Sequence, residues 1–362
     1  MTTLRILFVY NWVPDEERTE AFRECASTKT VQRLTSVFQS YQMEVIPLNL
    51  FSKEQLTEAV QVNQPDLAFV IAEGFLDEPE TLYDGSGALS IRAVLEGLGV
   101  PYSHSDVQAM EACRNKDITY EKLGQKEIAI PRFFVFSEIQ DDNDNMDRVE
   151  YVVGYPMFLK PCGGGCSIGI DEKSIVRNRS ELLSKLQQLR EMIGDQPILA
   201  ETYLPGREYT VGVIGNGVLN VLPVIAFPEA FNVRSQEVKM VEHQSRSEFE
   251  IIPVASPVGA KIKDTAMQVF QALGARDLIR LDLREGEDGR VYVIDVNGTP
   301  SLSLTGSLAF MAENSAVDYP EFIAYFLFVT LTRYGLPIND QLNENAVRVN
   351  TYLQGIFENQ IA

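Results

Sequence analysis

Histidine is scarce in this chain: His104 and His243 are the only two among 362 residues. His104 stands in PYSHS, where two parts of the chain join, and His243 in a polar stretch, so a histidine-based hydrolase triad has no material. The four cysteines are too few, and Cys25 and Cys113 too far from Cys162 and Cys166, for a disulfide framework, which fits a reducing compartment. Basic side chains are outnumbered, 31 against 51 acidic, and the formal charge of −20 repels nucleic acid and anionic membranes as bulk surfaces. An anionic ligand therefore has to enter a local basic pocket. MTTLRILFVY has one arginine and a short apolar run before polar sequence resumes, which predicts neither a signal peptide nor a membrane span. A cytoplasmic protein is expected. The following NWVPDEERTE contains no glycine, which removes the G-x-G-x-x-G turn of a dinucleotide dehydrogenase.

What is present reads as an α/β enzyme of more than one domain. LRILFVY, MEVIPLNL and DLAFVIAEG alternate with helical stretches at roughly 17–40, 53–62 and 87–98, the pattern of βαβ units on a parallel sheet. A unit over 1–106 is expected from this. A smaller mixed unit over 107–208 follows, with one helix through MEACRNKDITYEKL, strands at IPRFFVF and around YVVGYPMFLKP, a helix near 180–193 and the strand PILAE. Residues 209–362 carry two hairpins, one turning at Gly215-Asn216-Gly217, where Asn-Gly favours a tight turn, and one at REGEDG. Helices at about 319–334 and 343–357 close the chain. The lone Trp12 follows the first strand, lining a pocket or capping the core.

KPCGGGCSIGI, at 160–170, poses a choice between a thiol metal site and a phosphate loop. Cys162 and Cys166 have no nearby histidine or third cysteine, so the metal reading lacks ligands. Gly163, Gly164 and Gly165 let backbone N–H groups turn around an anion, and Lys160 at the strand end reaches the same oxygens. A plain glycine-rich turn with a solvated lysine stays open on this stretch alone. The second hairpin adds partners. Alternation along a strand puts Arg280 and Asp282 on one face, and Asp295 and Asn297 on one face. If the two faces coincide, two carboxylates, an amide and a guanidinium converge, an oxygen set suited to Mg²⁺ completed by water and phosphates. IRLDL and VYVIDVN are too apolar to carry unpaired aspartates without reason. Glu201 and Glu208 flank a short loop and suit an adenine amino group and ribose hydroxyls, with the backbone of Tyr203 and Leu204 at the base edge. Lys116 is a second cation for phosphates, although a lone lysine on a helix is more often surface.

In order, Asn115-Lys116, Lys160-Pro161 with its glycine loop, Glu201-x-x-Leu204-x-Gly206-x-Glu208, Arg280-x-Asp282 and Asp295-x-Asn297-x-x-Pro300 resemble the D-alanine–D-alanine ligase family of ATP-grasp enzymes, over roughly residues 87–312. The resemblance implies a three-domain ATP-grasp fold with an amino-terminal parallel α/β domain. By position it assigns Lys116 and Lys160 to the phosphates of ATP, Glu201 to adenine and Glu208 to ribose. Asp282, Asp295 and Asn297 would hold two Mg²⁺ ions, with Mn²⁺ the alternative; Asp295 stands where the family commonly has glutamate. Ser167 and the amides of Gly164 and Gly165 would close over the γ-phosphate, with Cys166 in a serine position. The mechanism implied is phosphoryl transfer to a carboxylate followed by attack of an amine, Arg280 stabilising the tetrahedral oxyanion. A homodimer built largely from the first domain is implied too.

The chain departs from the family in two places. Its first strand is not followed by the Gly-Gly-x-Ser-x-Glu element that holds the first amino acid's ammonium, and the Asp-Tyr-x-x-Lys-Tyr lid is replaced by FNVRSQEVKM, with Lys239 the nearest lid lysine. Ser307-Leu308 matches the Ser-Leu that receives the second substrate's carboxylate, one residue further along, and Ser301 replaces a glycine supporting the oxyanion hole. These features predict a ligase that adds an amino acid to a different acceptor. Mycosporine-glycine, whose enol oxygen is the vinylogue of a carboxylate, is one such acceptor, used by relatives with divergent amino-terminal halves. A D-alanine or other dipeptide ligase and a non-catalytic nucleotide sensor are the alternatives; a sensor would be expected to lose the metal ligands or Arg280. Lys160→Ala or Asp295→Ala is expected to abolish ATP turnover with the fold intact.

Overall fold

The computed structural model describes residues 3–18, 22–138, 142, 144–165, 169–228, 233 and 249–359. Cys166, Ser167, Lys239 and His243 lie outside the described residues.

In chain order the amino-terminal part contains β1 (Arg5–Tyr10), α1 (Thr28–Ser40), β2 (Glu44–Asn49), α2 (Lys53–Asn63), β3 (Leu67–Val70) and α3 (Ser86–Gly97). Its three strands form a parallel sheet in the order β2-β1-β3. β1 is buried on both faces, as a parallel strand covered by helices must be. Ile6 and Phe8 pack with Leu34 and Phe38 of α1, while Leu7 and Val9 pack with Leu56 of α2 and Ile91 of α3. α1 begins at Thr28, not near residue 17; Ser27 caps it by accepting from Thr30 N. Trp12 donates its indole N–H to Thr28 Oγ1 at 2.9 Å, tying the loop after β1 to that helix start.

Next come α4 (Val107–Arg114), α5 (Lys116–Gly124), β4 (Phe133–Phe136), α6 (Met146–Val152), β5 (Met157–Pro161), β6 (Ile175–Val176), α7 (Arg179–Ile193) and β7 (Ile198–Thr202). Two expectations need correction. The single helix expected through MEACRNKDITYEKL breaks at Asn115, which is extended (φ −116°, ψ 108°). The cause is tertiary: Lys116 N donates to Cys162 O at 2.9 Å, so the chain turns there and Lys116 opens a new helix. YVVGY is not strand; Tyr151 and Val152 end α6, and the strand begins at Met157. Four antiparallel strands, β4-β7-β5-β6, make the second sheet, packed against α6 and α7.

The last part holds β8 (Glu208–Asn216), β9 (Val218–Val221), β10 (Val224–Ala226), β11 (Glu250–Ile252), α8 (Pro257–Ala272), β12 (Asp277–Glu285), β13 (Val291–Asn297), α9 (Ser307–Glu313), α10 (Tyr319–Tyr334) and α11 (Asp340–Asn359). Its sheet runs β11-β10-β8-β12-β13 with β9 beside β8. Both expected hairpins are present, β8 with β9 and β12 with β13. Ile262, Ala266 and Val269 of α8 cover one face of this sheet. Phe322 and Phe326 of α10 lie between the other face and the amino-terminal sheet, joining the two in one core.

Asp277 fixes where β12 starts. It is fully buried and accepts from His104 N (2.9 Å), Asn216 Nδ2 (2.7 Å), Thr330 Oγ1 (3.0 Å) and Arg333 Nε and NH2 (2.8 and 2.7 Å). A buried carboxylate tolerates low dielectric only with this many donors. Because those donors come from three parts of the chain, the strand that presents Arg280 and Asp282 is held against all of them.

Candidate active site

The register of β12 on β13 decides whether the two polar faces coincide. Arg280 is opposite Asn297, and Asp282 is opposite Asp295, so they do. A register irregularity follows between Asp282 and Leu283, beyond the polar pair. Arg280 donates through Nε and NH2 to Asp282 at 3.2 and 3.1 Å, and Thr210 Oγ1 of β8 donates to Asp282 Oδ1 at 2.7 Å. Lys116 Nζ lies 3.6 Å from Asp295 Oδ1 and donates to Gly164 O at 3.3 Å, so the break at Asn115 carries this cation to both the glycine loop and the hairpin.

Lys160 is not the solvated lysine of the plain-turn alternative. It is 4% exposed, and Nζ donates to Glu201 Oε1 (2.8 Å), Ile294 O (3.0 Å) and Tyr120 OH (3.4 Å), using all three N–H groups. Tyr120 OH donates to Glu201 Oε2 at 2.6 Å, and burial, reinforced by Glu201, pushes the phenol well above its ordinary pKa. Lysine and glutamate thus form a buried pair that ties the second sheet to β13. Sequence reading missed Tyr120, although it lies four residues after Lys116, on the same helical face. Glu208 Oε2 is 3.5 Å from Arg284 NH1, and the Arg284 guanidinium lies 5.7 Å from the centre of the Tyr203 ring.

The three glycines approach the amino-terminal part closely. A Cβ on Gly163 would sit 2.8 Å from Asp84 O, one on Gly164 would collide with Tyr83 O, and one on Gly165 with Glu24 Oε1. Gly164 also has φ +82°, a backbone region that costs an L-residue about 1–2 kcal/mol. Gly164→Ala is therefore expected to lower the melting temperature and to raise the KM for ATP at least about tenfold, the worth of roughly 1.4 kcal/mol. Wild-type values for both would show that the loop does not need this approach.

These groups wall one cavity of about 690 Å³, within the range of small-molecule sites. Lys116, Lys160, Gly164, Gly165, Glu201, Tyr203, Leu204, Glu208, Arg280, Asp282, Asp295, Asn297, Ser301 and Ser307 all line it. Leu308 does not; it is buried in the core beneath. The cavity extends to residues that sequence reading did not single out, chiefly Glu24, Glu73 and Arg114. Glu73 Oε2 is 3.1 Å from Arg114 NH1. Burial raises the Glu73 carboxyl to about 7, Arg114 opposing and Glu24 reinforcing the shift. Among the described residues no cluster of three or more His, Cys, Asp or Glu side chains is arranged to hold a metal. The hairpin offers two carboxylates and an amide, enough for an ion that takes its remaining ligands from phosphate and water.

Such a hairpin in an antiparallel sheet of six strands, beside a glycine loop, two lysines and a second antiparallel sheet of four strands, defines an ATP-grasp enzyme. The family described as D-ala D-ala ligase C-terminus matches residues 123–327. D-alanine–D-alanine ligase of Desulfotalea psychrophila is 30% identical over 283 residues, 75% of this chain and 78% of that protein. D-alanine–D-alanine ligase A of Bacillus cereus is 25% identical, covering 80% of this chain and 87% of the relative. The vancomycin/teicoplanin A-type resistance protein VanA of Enterococcus faecium is 28% identical over 75% of this chain and 74% of its own. The fold is that of D-alanine–D-alanine ligase from Bacillus anthracis, with TM-score 0.70, 23% identity, and 91% of this chain and 98% of that one covered. The same ligase complexed with ATP gives a TM-score of 0.67 at 22% identity. The chain belongs to the D-alanine–D-alanine ligase family. It is an ATP-dependent carboxylate–amine ligase of that type, forming a carbon–nitrogen bond. Among the described residues no helix is long and apolar enough to cross a membrane.

Proposed function

We propose that this ligase condenses the amine of an amino acid with an acceptor other than D-alanine, mycosporine-glycine being the candidate. The observation that carries the reading is the in-register pairing of Arg280 with Asn297 and of Asp282 with Asp295, in a chain whose first strand lacks the Gly-Gly-x-Ser-x-Glu element. The nucleotide, with its divalent ion, supplies the phosphoryl group and the neutralisation of its charge.

The protein's part is positioning. Lys116 receives phosphate oxygens, and Lys160 does so on giving up its long 3.4 Å contact to Tyr120 OH; Glu201 meets the adenine amino group and Glu208 the ribose, with Tyr203 and Leu204 along the base. Asp282, Asp295 and Asn297 hold Mg²⁺; the set is all oxygen, and the buried Asn297 amide nitrogen has no hydrogen-bond partner among the described residues. Arg280, beside Asp282, is placed to receive the negative charge that develops when the amine attacks the activated carbon, where one donor is worth about 3–4 kcal/mol. Ser307 takes the carboxylate of the incoming amino acid and Ser301 supports the oxyanion hole. Roles for Cys166, Ser167 and Lys239 and the homodimer rest on the resemblance alone; three domains over 1–106, 107–208 and 209–362 and a cytoplasmic location rest on the sequence pattern and composition.

ADP formation with Mg²⁺ tests the reading, against amino acids singly, in pairs, and each with mycosporine-glycine. Turnover is expected only when an amino acid accompanies the acceptor. Turnover with D-alanine alone would make the chain a dipeptide ligase, and ATP binding with no turnover for any pair would make it a sensor.

A further inference from the structure

The phenol of Tyr120 has no part in the roles above, yet it touches two of the residues that carry them. Tyr120 is wholly buried and does not reach the cavity that Lys160 and Glu201 line. It stands on α5 one turn after Lys116, so one helix sends a cation into the cavity and a phenol behind its wall. The ring packs with Cys162 and Leu199 and meets Phe133 edge-on, with ring centres 5.3 Å apart. Phe133 is opposite Glu201 across β4 and β7, so the ring is anchored against the strand whose carboxylate its hydroxyl meets.

A phenol has one proton to donate. It goes to Glu201 Oε2 at 2.6 Å, because Ile294 O stands farther off at 3.2 Å and already accepts from Lys160. Burial, with Glu201 adding to it, pushes the phenol well above its ordinary pKa, so the hydroxyl stays a donor. Lys160 holds the other oxygen, Oε1, at 2.8 Å. The terminal torsion of a glutamate is broad and is fixed only by what its oxygens bond. With a donor on each oxygen the carboxylate plane is set, and its remaining lone pairs are acceptors of fixed direction. When Lys160 turns to a phosphate and gives up its 3.4 Å contact with Tyr120, the bond from Tyr120 to Glu201 is untouched.

Purines differ at such a contact: adenine presents an amino donor where guanine presents a carbonyl acceptor. A carboxylate free to swing could turn aside from the wrong base, whereas a fixed one leaves two acceptors opposed and unpaired. We infer that Tyr120 is a positioning residue for base selection: by holding Glu201 Oε2 from behind the cavity wall, it makes that carboxylate a rigid acceptor requiring an amino group on the purine. This rests on the nucleotide roles proposed above. Phosphate contacts are common to all nucleoside triphosphates, so Tyr120 acts on which base is taken and not on the transfer itself.

Isothermal titration of the full chain with Mg²⁺ tests the assignment, comparing wild type with Tyr120→Phe, which removes only the hydroxyl. The probes are adenylyl imidodiphosphate, its counterpart with unsubstituted purine as the base, and guanylyl imidodiphosphate. The wild type is expected to bind the adenine probe about 10- to 100-fold more tightly than either of the others, the worth of one hydrogen bond to a charged group. In Tyr120→Phe that preference should shrink to about threefold or less. Because the probes share the same phosphate chain, any change at Lys160 cancels in the ratio. A phenol that served the fold alone would, on removal, lower the melting temperature and leave the preference as it was; that result would overturn the assignment while the ligase reading stands. Equal binding of the probes to the wild type would remove the contact of Glu201 with the base, and the role of Tyr120 with it. Binding of none of them would overturn the nucleotide reading itself. Tyr120→Met, which fills the space with a flexible apolar chain, carries the same comparison should Tyr120→Phe not fold.

Discussion

Asp295→Asn is expected to lower ATP turnover about 100- to 1000-fold with the melting temperature nearly unchanged. Removing one carboxylate from a metal-assisted phosphoryl transfer forfeits several kcal/mol of charge stabilisation, and each ~1.4 kcal/mol is a factor of ten in rate. The fold should not notice. The Asp295 side chain is 30% exposed, and its nearest cation, Lys116, stands off at 3.6 Å, a loose pair of the kind worth about 0–1 kcal/mol. Coupled ADP assays and thermal melts on the same preparation check both halves. Near-normal turnover would take the hairpin out of the active site.

Lys160→Ala is expected to damage the fold as well as activity, which reverses the expectation drawn from the sequence. The ammonium and the Glu201 carboxylate are both almost wholly buried, at 4% exposure each. Removing one partner of a buried pair leaves the other uncompensated, at a cost of about 3–5 kcal/mol. Against a typical total stability of about 5–15 kcal/mol this is a large fraction. Lys160→Met combined with Glu201→Gln should recover much of the lost stability, because the orphaned charge is gone, yet remain inactive. A double-mutant cycle by denaturant unfolding measures the coupling. If Lys160→Ala melts like the wild type, the pair is not the buried tie described.

The difference between these two residues marks where sequence reasoning stops. That Arg280 and Asp282 share a face, and Asp295 and Asn297 likewise, follows from strand alternation and was legible. That the two faces coincide depends on hairpin register, which REGEDG alone does not dictate and the structure supplies. Lys160 and Glu201 were both singled out, but for separate ligand roles. Their pairing comes from strand order, β5 beside β7, and brings together residues 41 positions apart. The break at Asn115 was hidden for a similar reason: RNKD has no proline or glycine, and the turn is imposed by Cys162 O, just past the end of β5. Glu24, Glu73 and Arg114 gave no periodic or motif signal at all. Each reads as ordinary polar sequence until the fold sets them around one cavity.

The most direct test of the ligase account is to follow an ¹⁸O label placed in the acceptor oxygen that is to be activated. After turnover with ATP, Mg²⁺ and an amino acid, mass spectrometry should find one ¹⁸O in each released phosphate, because the activated oxygen leaves with the phosphoryl group when the amine attacks. Unlabelled phosphate, with the label retained in the acceptor, would mean that water takes the phosphoryl group and that the chain does not activate its acceptor as a ligase must.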